Sequence, residues 1–145
     1  MMEEVRVRVP AGKILIREAR CPQGCSLVNP DKLLSGKPAL TAEVHLRGSS
    51  GLIHFNPYFG IYEYESELPL GEGDIVEVHC PHCHVSLSCD ESCGMCNVPM
   101  FALQLPDGGE VRACPTVGCR NHNLTVVDLD HQFAAFYNEE RRPKM

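Results

Sequence analysis

The chain has 145 residues, 43% of them hydrophobic and 22% charged, with nine cysteines, seven histidines and no tryptophan. This balance fits a globular chain and excludes global disorder, and no apolar run approaches the ~20 residues of a membrane span. The net charge of −6 is uneven: the first fifty residues carry eight Lys/Arg against five Asp/Glu, the remainder five against fourteen, so most of the chain should be repelled by phosphate backbones.

Val5-Arg6-Val7-Arg8-Val9 alternates with the period of two expected of a half-buried strand. Pro10-Ala11-Gly12-Lys13 predicts a turn and Ile14–Arg17 the returning strand. Cys21-Pro22-Gln23-Gly24-Cys25 breaks the pattern as a tight loop, and residues 29–38, with two prolines and Gly36, read as a surface connection. Leu40–Arg47 and Gly51–Phe55 flank Gly48-Ser49-Ser50 as a hairpin. Phe59–Tyr64 alternates aromatic or apolar residues with acid and predicts a further strand; with Phe55 and Tyr58 it makes an aromatic strip suited to core packing or to a partner contact. Ile75–Val78 leads into residues 80–96, read as mostly loop and ligands. Met100–Leu105, Pro106-Asp107-Gly108-Gly109 and Glu110–Ala113 predict another hairpin, followed by a strand at Leu124–Val127. Asp128–Arg142 predicts a helix with Asp130 as its N-cap and Leu129, Phe133, Phe136 and Tyr137 on one side. The expected architecture is mainly β: a body over 1–79, a cysteine-rich module over 80–127 and a C-terminal helix and tail over 128–145.

The acidic start, Met1-Met2-Glu3-Glu4, lacks the positive charge and apolar core of a signal peptide, so a cytoplasmic location is expected. In a reducing compartment, cysteines at short spacing point to metal or redox chemistry rather than to disulfides. Cys80-Pro81-His82-Cys83 and Cys93-Gly94-Met95-Cys96 form C-x₂-C-x₉-C-x₂-C, two knuckles that together offer four thiolates. A tight turn aims both sulfurs of a knuckle inward, and a second knuckle completes the tetrahedral shell that zinc prefers. The expected first metal site is therefore Cys80, Cys83, Cys93 and Cys96. Cys21-Pro22-Gln23-Gly24-Cys25 and Cys114-Pro115-Thr116-Val117-Gly118-Cys119 share a Cys-Pro…Gly-Cys pattern, and neither alone fills a shell. Their matched local shape predicts a second site from Cys21, Cys25, Cys114 and Cys119, tying the body to the module. Cys89 and His122 are alternative ligands, and two zinc ions per chain are expected.

The stretch over 78–113 resembles a zinc-ribbon, or rubredoxin-like, module through Cys80-Pro81-His82-Cys83 with Val85 and Leu87, and through Cys93-Gly94-Met95-Cys96 with Met100–Leu105. It departs from that pattern where a Gly often follows the knuckle, having His84 after Cys83 and Asn97 after Cys96. Asn adopts the left-handed conformation readily, whereas His is a poorer substitute. Tetrahedral sulfur suits iron as well as zinc, and Cys80-Pro81-His82-Cys83-His84 also matches the c-type haem string, although no export signal precedes it.

Neither H-E-x-x-H, a phosphate-binding Gly loop, nor a G-x-S-x-G elbow occurs, so no enzymatic activity is expected. A non-catalytic accessory or adaptor protein that binds a protein partner is the leading expectation. The alternatives are nucleic-acid binding through Arg6, Arg8, Lys13, Arg17 and Arg20, a class to which ribbon modules often belong, or redox chemistry at the knuckles. His45 and His54 in strands, and His79, His82 and His84 around the first knuckle, are expected to be solvent-facing or hydrogen-bonded.

Overall fold

A computed structural model describes residues 5–6, 14–106 and 108–126, of which 5–6 and 122–126 are described by backbone alone. The helix predicted at 128–142, with its Leu129/Phe133/Phe136/Tyr137 stripe, lies outside the described residues. Within them the fold is mainly β, with no helix and ten strands: β1 (Val5–Arg6), β2 (Val28–Leu34), β3 (Lys37–Leu46), β4 (Ser49–Phe55), β5 (Tyr64–Ser66), β6 (Glu77–His79), β7 (Ser88–Ser92), β8 (Pro99–Gln104), β9 (Glu110–Ala113) and β10 (His122–Val126). They build two antiparallel sheets. One has the order β1-β10-β9-β8-β7; the other has β2-β3-β4-β5, with β6 also on β3.

The predicted hairpins over 40–55 and 100–113 form as β3–β4 and β8–β9. Other elements pair differently from expectation. Val5–Arg6 joins Thr125–Val126 of β10 instead of returning onto Ile14–Arg17, which makes only a single bridge between Leu15 and Tyr58. Residues 29–38, expected to be a surface connection, supply β2, whose register shifts between Asn29 and Leu33. Pro30 has no N–H to give a ladder, and it sits within this irregular stretch on an edge strand. Of Phe59–Tyr64 only Tyr64 is in a strand. The strip divides accordingly: Phe55 and Phe59 pack against the core, whereas Tyr62 and Tyr64 are exposed.

Alternation along β3 sends Leu40, Ala42 and Val44 inward, to meet Ile53 of β4 and Val78 of β6. Phe101, Leu103, Val111 and Ala113 of β8 and β9 close the same core from the other sheet, and the Phe55 and Phe101 rings stack 5.7 Å apart. Two stitches join the sheets at one end. Arg20 and Gln104 exchange backbone hydrogen bonds of 2.8 and 2.9 Å, while Leu87 donates to Val78 (2.9 Å) and accepts from Ala102 (2.8 Å). The described residues on the two sides of Cys80 therefore share one core. Farther along, the sheets leave a cavity of about 420 Å³ between them, bordered by Tyr62 and Arg120. Arg120 stacks on the Tyr62 ring at 4.9 Å, and the Tyr62 hydroxyl donates to the Arg120 carbonyl (3.1 Å).

Candidate metal centres

Eight of the nine cysteines converge into two groups of four, each with its sulfurs within 4.8 Å of one another. Site A contains Cys21, Cys25, Cys80 and Cys83; site B contains Cys93, Cys96, Cys114 and Cys119. Sulfur–sulfur contacts between the knuckles are 3.7 Å (Cys21 to Cys83) and 3.9 Å (Cys93 to Cys119). All nine cysteines are free thiols. A disulfide would bring two sulfurs to about 2.05 Å, whereas a tetrahedral shell with metal–sulfur bonds of about 2.3 Å has edges of about 3.8 Å. The Cys21–Cys83 and Cys93–Cys119 contacts match the second spacing.

The same four knuckles were expected, but the fold partitions them differently. Cys80/Cys83 does not share a site with Cys93/Cys96, nor Cys21/Cys25 with Cys114/Cys119. Strand topology explains the partition. The open ends of a hairpin lie side by side, and the Cys93/Cys96 loop precedes β8 while the Cys114/Cys119 loop follows β9, so site B closes the open end of the β8–β9 hairpin. Site A arises on β3. With β4 occupying one edge of β3, both β2 and β6 must use the other. β2 begins opposite Leu40 and β6 ends opposite Glu43, three residues and about 10 Å apart. Cys25 precedes the first of these ends and Cys80 follows the second.

The four loops have two shapes, and each site takes one of each. In the first shape the first cysteine donates to the carbonyl five residues on and accepts from the N–H four residues on: Cys80 to Val85 (2.9 Å) and from His84 (2.9 Å), Cys93 to Val98 (2.8 Å) and from Asn97 (2.8 Å). His84 and Asn97 stand at the expected glycine positions with φ of +66° and +61°, so both take up the left-handed conformation. In the second shape a glycine before the last cysteine supplies the positive φ, +96° at Gly24 and +95° at Gly118. Matched loops thus belong to different sites.

Backbone N–H groups aim at the sulfurs: Gln23 and Cys25 at Cys21 (3.3 and 3.4 Å), His82 at Cys80 (3.3 Å), Cys96 at Cys93 (3.4 Å) and Thr116 at Cys114 (3.5 Å). The Asn121 amide adds a donor to Cys93 Sγ at 3.3 Å. No spacing rule singled out Asn121; its position two residues past Cys119 was the available signal. Two thiols of each group titrate apart. Burial opposes ionisation of Cys21, but the Cys25 and Gln23 N–H groups outweigh it and bring the thiol to about 7, while burial and the neighbouring sulfurs push Cys25 up to about 12. In site B, Asn121 and the Cys96 N–H lower Cys93 to about 6, and burial drives Cys119 up to about 12. Four sulfurs this close cannot all carry charge without a cation among them, and a divalent ion removes the conflict. The donor set fits a metal.

Cys89 belongs to neither group; its sulfur sits 3.9 Å from the Glu91 carbonyl. His122 lies in β10, where only the backbone is described. Of the basic face, Arg8 and Lys13 lie outside the described residues and Arg6 is placed by backbone alone. Arg17 is exposed, while Arg20 bonds Glu18 (2.8 Å) and the Gly24 carbonyl (3.1 Å). The haem-like string turns both sulfurs into site A and lays the His84 ring 3.1 Å from Glu43. No helix among the described residues is long and apolar enough to cross a membrane.

The chain is thus a two-sheet β protein with two tetra-cysteine groups able to hold metal ions. Comparison with known families, with characterised proteins and with solved structures finds no match.

Proposed function

We propose that this chain is a non-catalytic zinc protein, holding two structural ions and serving as an accessory or adaptor subunit through protein–protein contacts. The ligands support zinc: four converging thiolates are the usual closed structural shell. With four sulfurs on each ion, no coordination position is left for water or substrate, which argues against Lewis-acid catalysis at these sites.

The observation that carries the adaptor reading is Met95. It sits at the tip of the Cys93–Cys96 knuckle with 81% of its surface exposed, a large apolar side chain on a loop fixed at both ends. Such a side chain loses little backbone entropy on binding, and methionine adapts its shape to a partner. The nucleic-acid alternative relies on N-terminal cations, of which Arg20 is already engaged by Glu18.

The test is photo-crosslinking in its native extract from a probe at Gly94, beside Met95 and with open space around it, with a probe at exposed Glu72 as control. An adduct of one defined mass from position 94, abolished when Met95→Glu is introduced into the same chain, supports the adaptor role. Equal adducts from both positions contradict it. A salt-sensitive shift of nucleic acid by the two-zinc protein would favour the alternative.

A further inference from the structure

The two sheets do not fill the space between them. At the stitched end, Ala19, Leu27, Val44 and Leu87 are sealed, none of them more than 2% exposed. Farther along, Ile53, Val78, Phe101, Leu103 and Val111 keep 4–7% of their surface open, and all five line the cavity of about 420 Å³. That volume falls in the range of pockets for small organic molecules, about 300–1,000 Å³.

The walls and the rim differ in chemistry. Leu40, Phe55 and Phe59 complete an apolar lining that gives water few hydrogen bonds, so exchange of that water for an apolar body is favourable. Asn56, the buried polar side chain of the wall, is already satisfied by Ser35 (2.9 Å), Glu63 (2.8 Å) and the Tyr58 N–H (2.9 Å). At the rim, Arg120 lies over the Tyr62 ring at 4.9 Å and has no carboxylate partner among the described residues. Stacking uses the face of the guanidinium and leaves its N–H edge for a planar anion. Of the rim acids, Glu63 accepts from Asn56 and Glu72 lies against Gly118.

We propose that the cavity binds a medium-chain fatty acid, with its alkyl chain between the sheets and its carboxylate on Arg120 at the rim. Branched aliphatic and Phe side chains from both sheets hold an alkyl chain without requiring a hydrogen bond, whereas the hydroxyls of a sugar or the amides of a peptide would be stranded there. The carboxylate stays at the exposed rim, where Arg120 offers paired N–H donors and water completes its hydration. This binding goes beyond the adaptor reading and leaves its surface free, since Met95 is not part of the cavity. The rim loop carries Cys114 and Cys119, so the two-zinc protein is the form to test.

The test is calorimetric titration of that protein with hexanoate, octanoate and 1-octanol. One equivalent of octanoate is expected to bind, tighter than hexanoate by about fourfold per CH₂. Methyl signals of Leu103 and Val111 should shift, and those of Leu27 and Leu87 should not. Arg120→Gln, on the rim and outside the core, should weaken octanoate about fivefold and leave 1-octanol unchanged. Val111→Phe fills the cavity and should weaken both; Met95→Glu should weaken neither. Absence of saturable octanoate binding overturns the proposal, as does equal binding by the wild type and Arg120→Gln. Loss of octanoate binding in Met95→Glu also overturns it, and would place the alkyl chain on the adaptor surface instead.

Discussion

Sites A and B are made from the same two loop shapes and the same four donors, yet their surroundings differ. In site A, Cys21 and Cys80 are buried members of the main core, in one cluster with Val44, Leu87 and Phe101, while Cys83 is exposed. In site B, Cys93 and Cys114 with Met100 are the only fully buried members of a separate small cluster, bordered by Cys89, Cys96, Val98 and Cys119. An ion in site A would bridge segments 55 residues apart and tie the ends of β2 and β6 together beside β3. An ion in site B would take the place of a core at the end of a hairpin. Identical coordination chemistry therefore does different structural work in the two places. The lesson is that the importance of a metal site is set by what its ligands are attached to.

The largest expected effect separates the two. Structural zinc binds with apparent free energies of about 10–16 kcal/mol in finger peptides, comparable to the stability of a whole domain. Cys80→Ser should strip protection from β2, β3 and β6 and the core they share while leaving the β8–β9 end closed by its own ion, and Cys114→Ser should melt the β8–β9 end and spare amides of β3 and β4. Hydrogen exchange read residue by residue checks this; equal loss of protection in both variants would erase the distinction. Next come the two cores. Leu87→Ala, at 2% exposure in the main core, should cost about 2–5 kcal/mol of global stability. Met100→Ala, at 1% exposure in the small cluster, should chiefly weaken zinc retention by site B. Denaturant titration beside chelator competition distinguishes the outcomes.

Smaller effects sharpen the comparison at the loops. Gly24→Ala and Gly118→Ala both force a side chain into the left-handed region, at about 1–2 kcal/mol. A Cβ at Gly24 meets nothing within 4 Å, and one at Gly118 meets the end of the exposed Glu72 side chain, which can swing aside. The two substitutions should therefore cost alike, read as equally faster loss of the site A and site B ions; a much worse Gly118→Ala would show that Glu72 is held in place. The smallest effect concerns pH. Asn121 holds Cys93 well below the ordinary thiol value, so thiolate-dependent stabilisation is present above that ordinary value and is lost as pH falls through about 6. Asn121→Ala lets the Cys93 pKa rise, protons compete earlier, and half-release of the site B ion should move to higher pH. An unchanged release curve would show that the Asn121 amide does not tune the site.

The sequence made the cysteines legible as ligands because a Cys-x-x-Cys turn is a local object: its sulfurs converge whatever the rest of the chain does. Which turns share an ion is a question of topology. Proximity favoured joining Cys83 to Cys93, and likeness favoured joining Cys25 to Cys114, but neither reports where strand ends meet. The β8–β9 hairpin was visible from Pro106-Asp107-Gly108-Gly109, and the adjacency of its open ends was the available clue to site B. Site A had no comparable clue, since it needs β2 and β6 end to end on one edge of β3, and β2 was hidden by Pro30 and an irregular register. The histidines are hydrogen-bonded, as expected: His45 and His84 reach Glu43, and His79 reaches the His84 carbonyl and Glu77.

The ligand partition is tested most directly by elemental metal content in two double variants. Cys21→Ser/Cys80→Ser removes two ligands from site A alone and should retain one thiolate-bound zinc per chain. Cys80→Ser/Cys93→Ser strikes both sites and should retain none. The opposite result, one zinc in the second variant and none in the first, would restore the pairing of Cys80/Cys83 with Cys93/Cys96 and contradict the topology described for both centres.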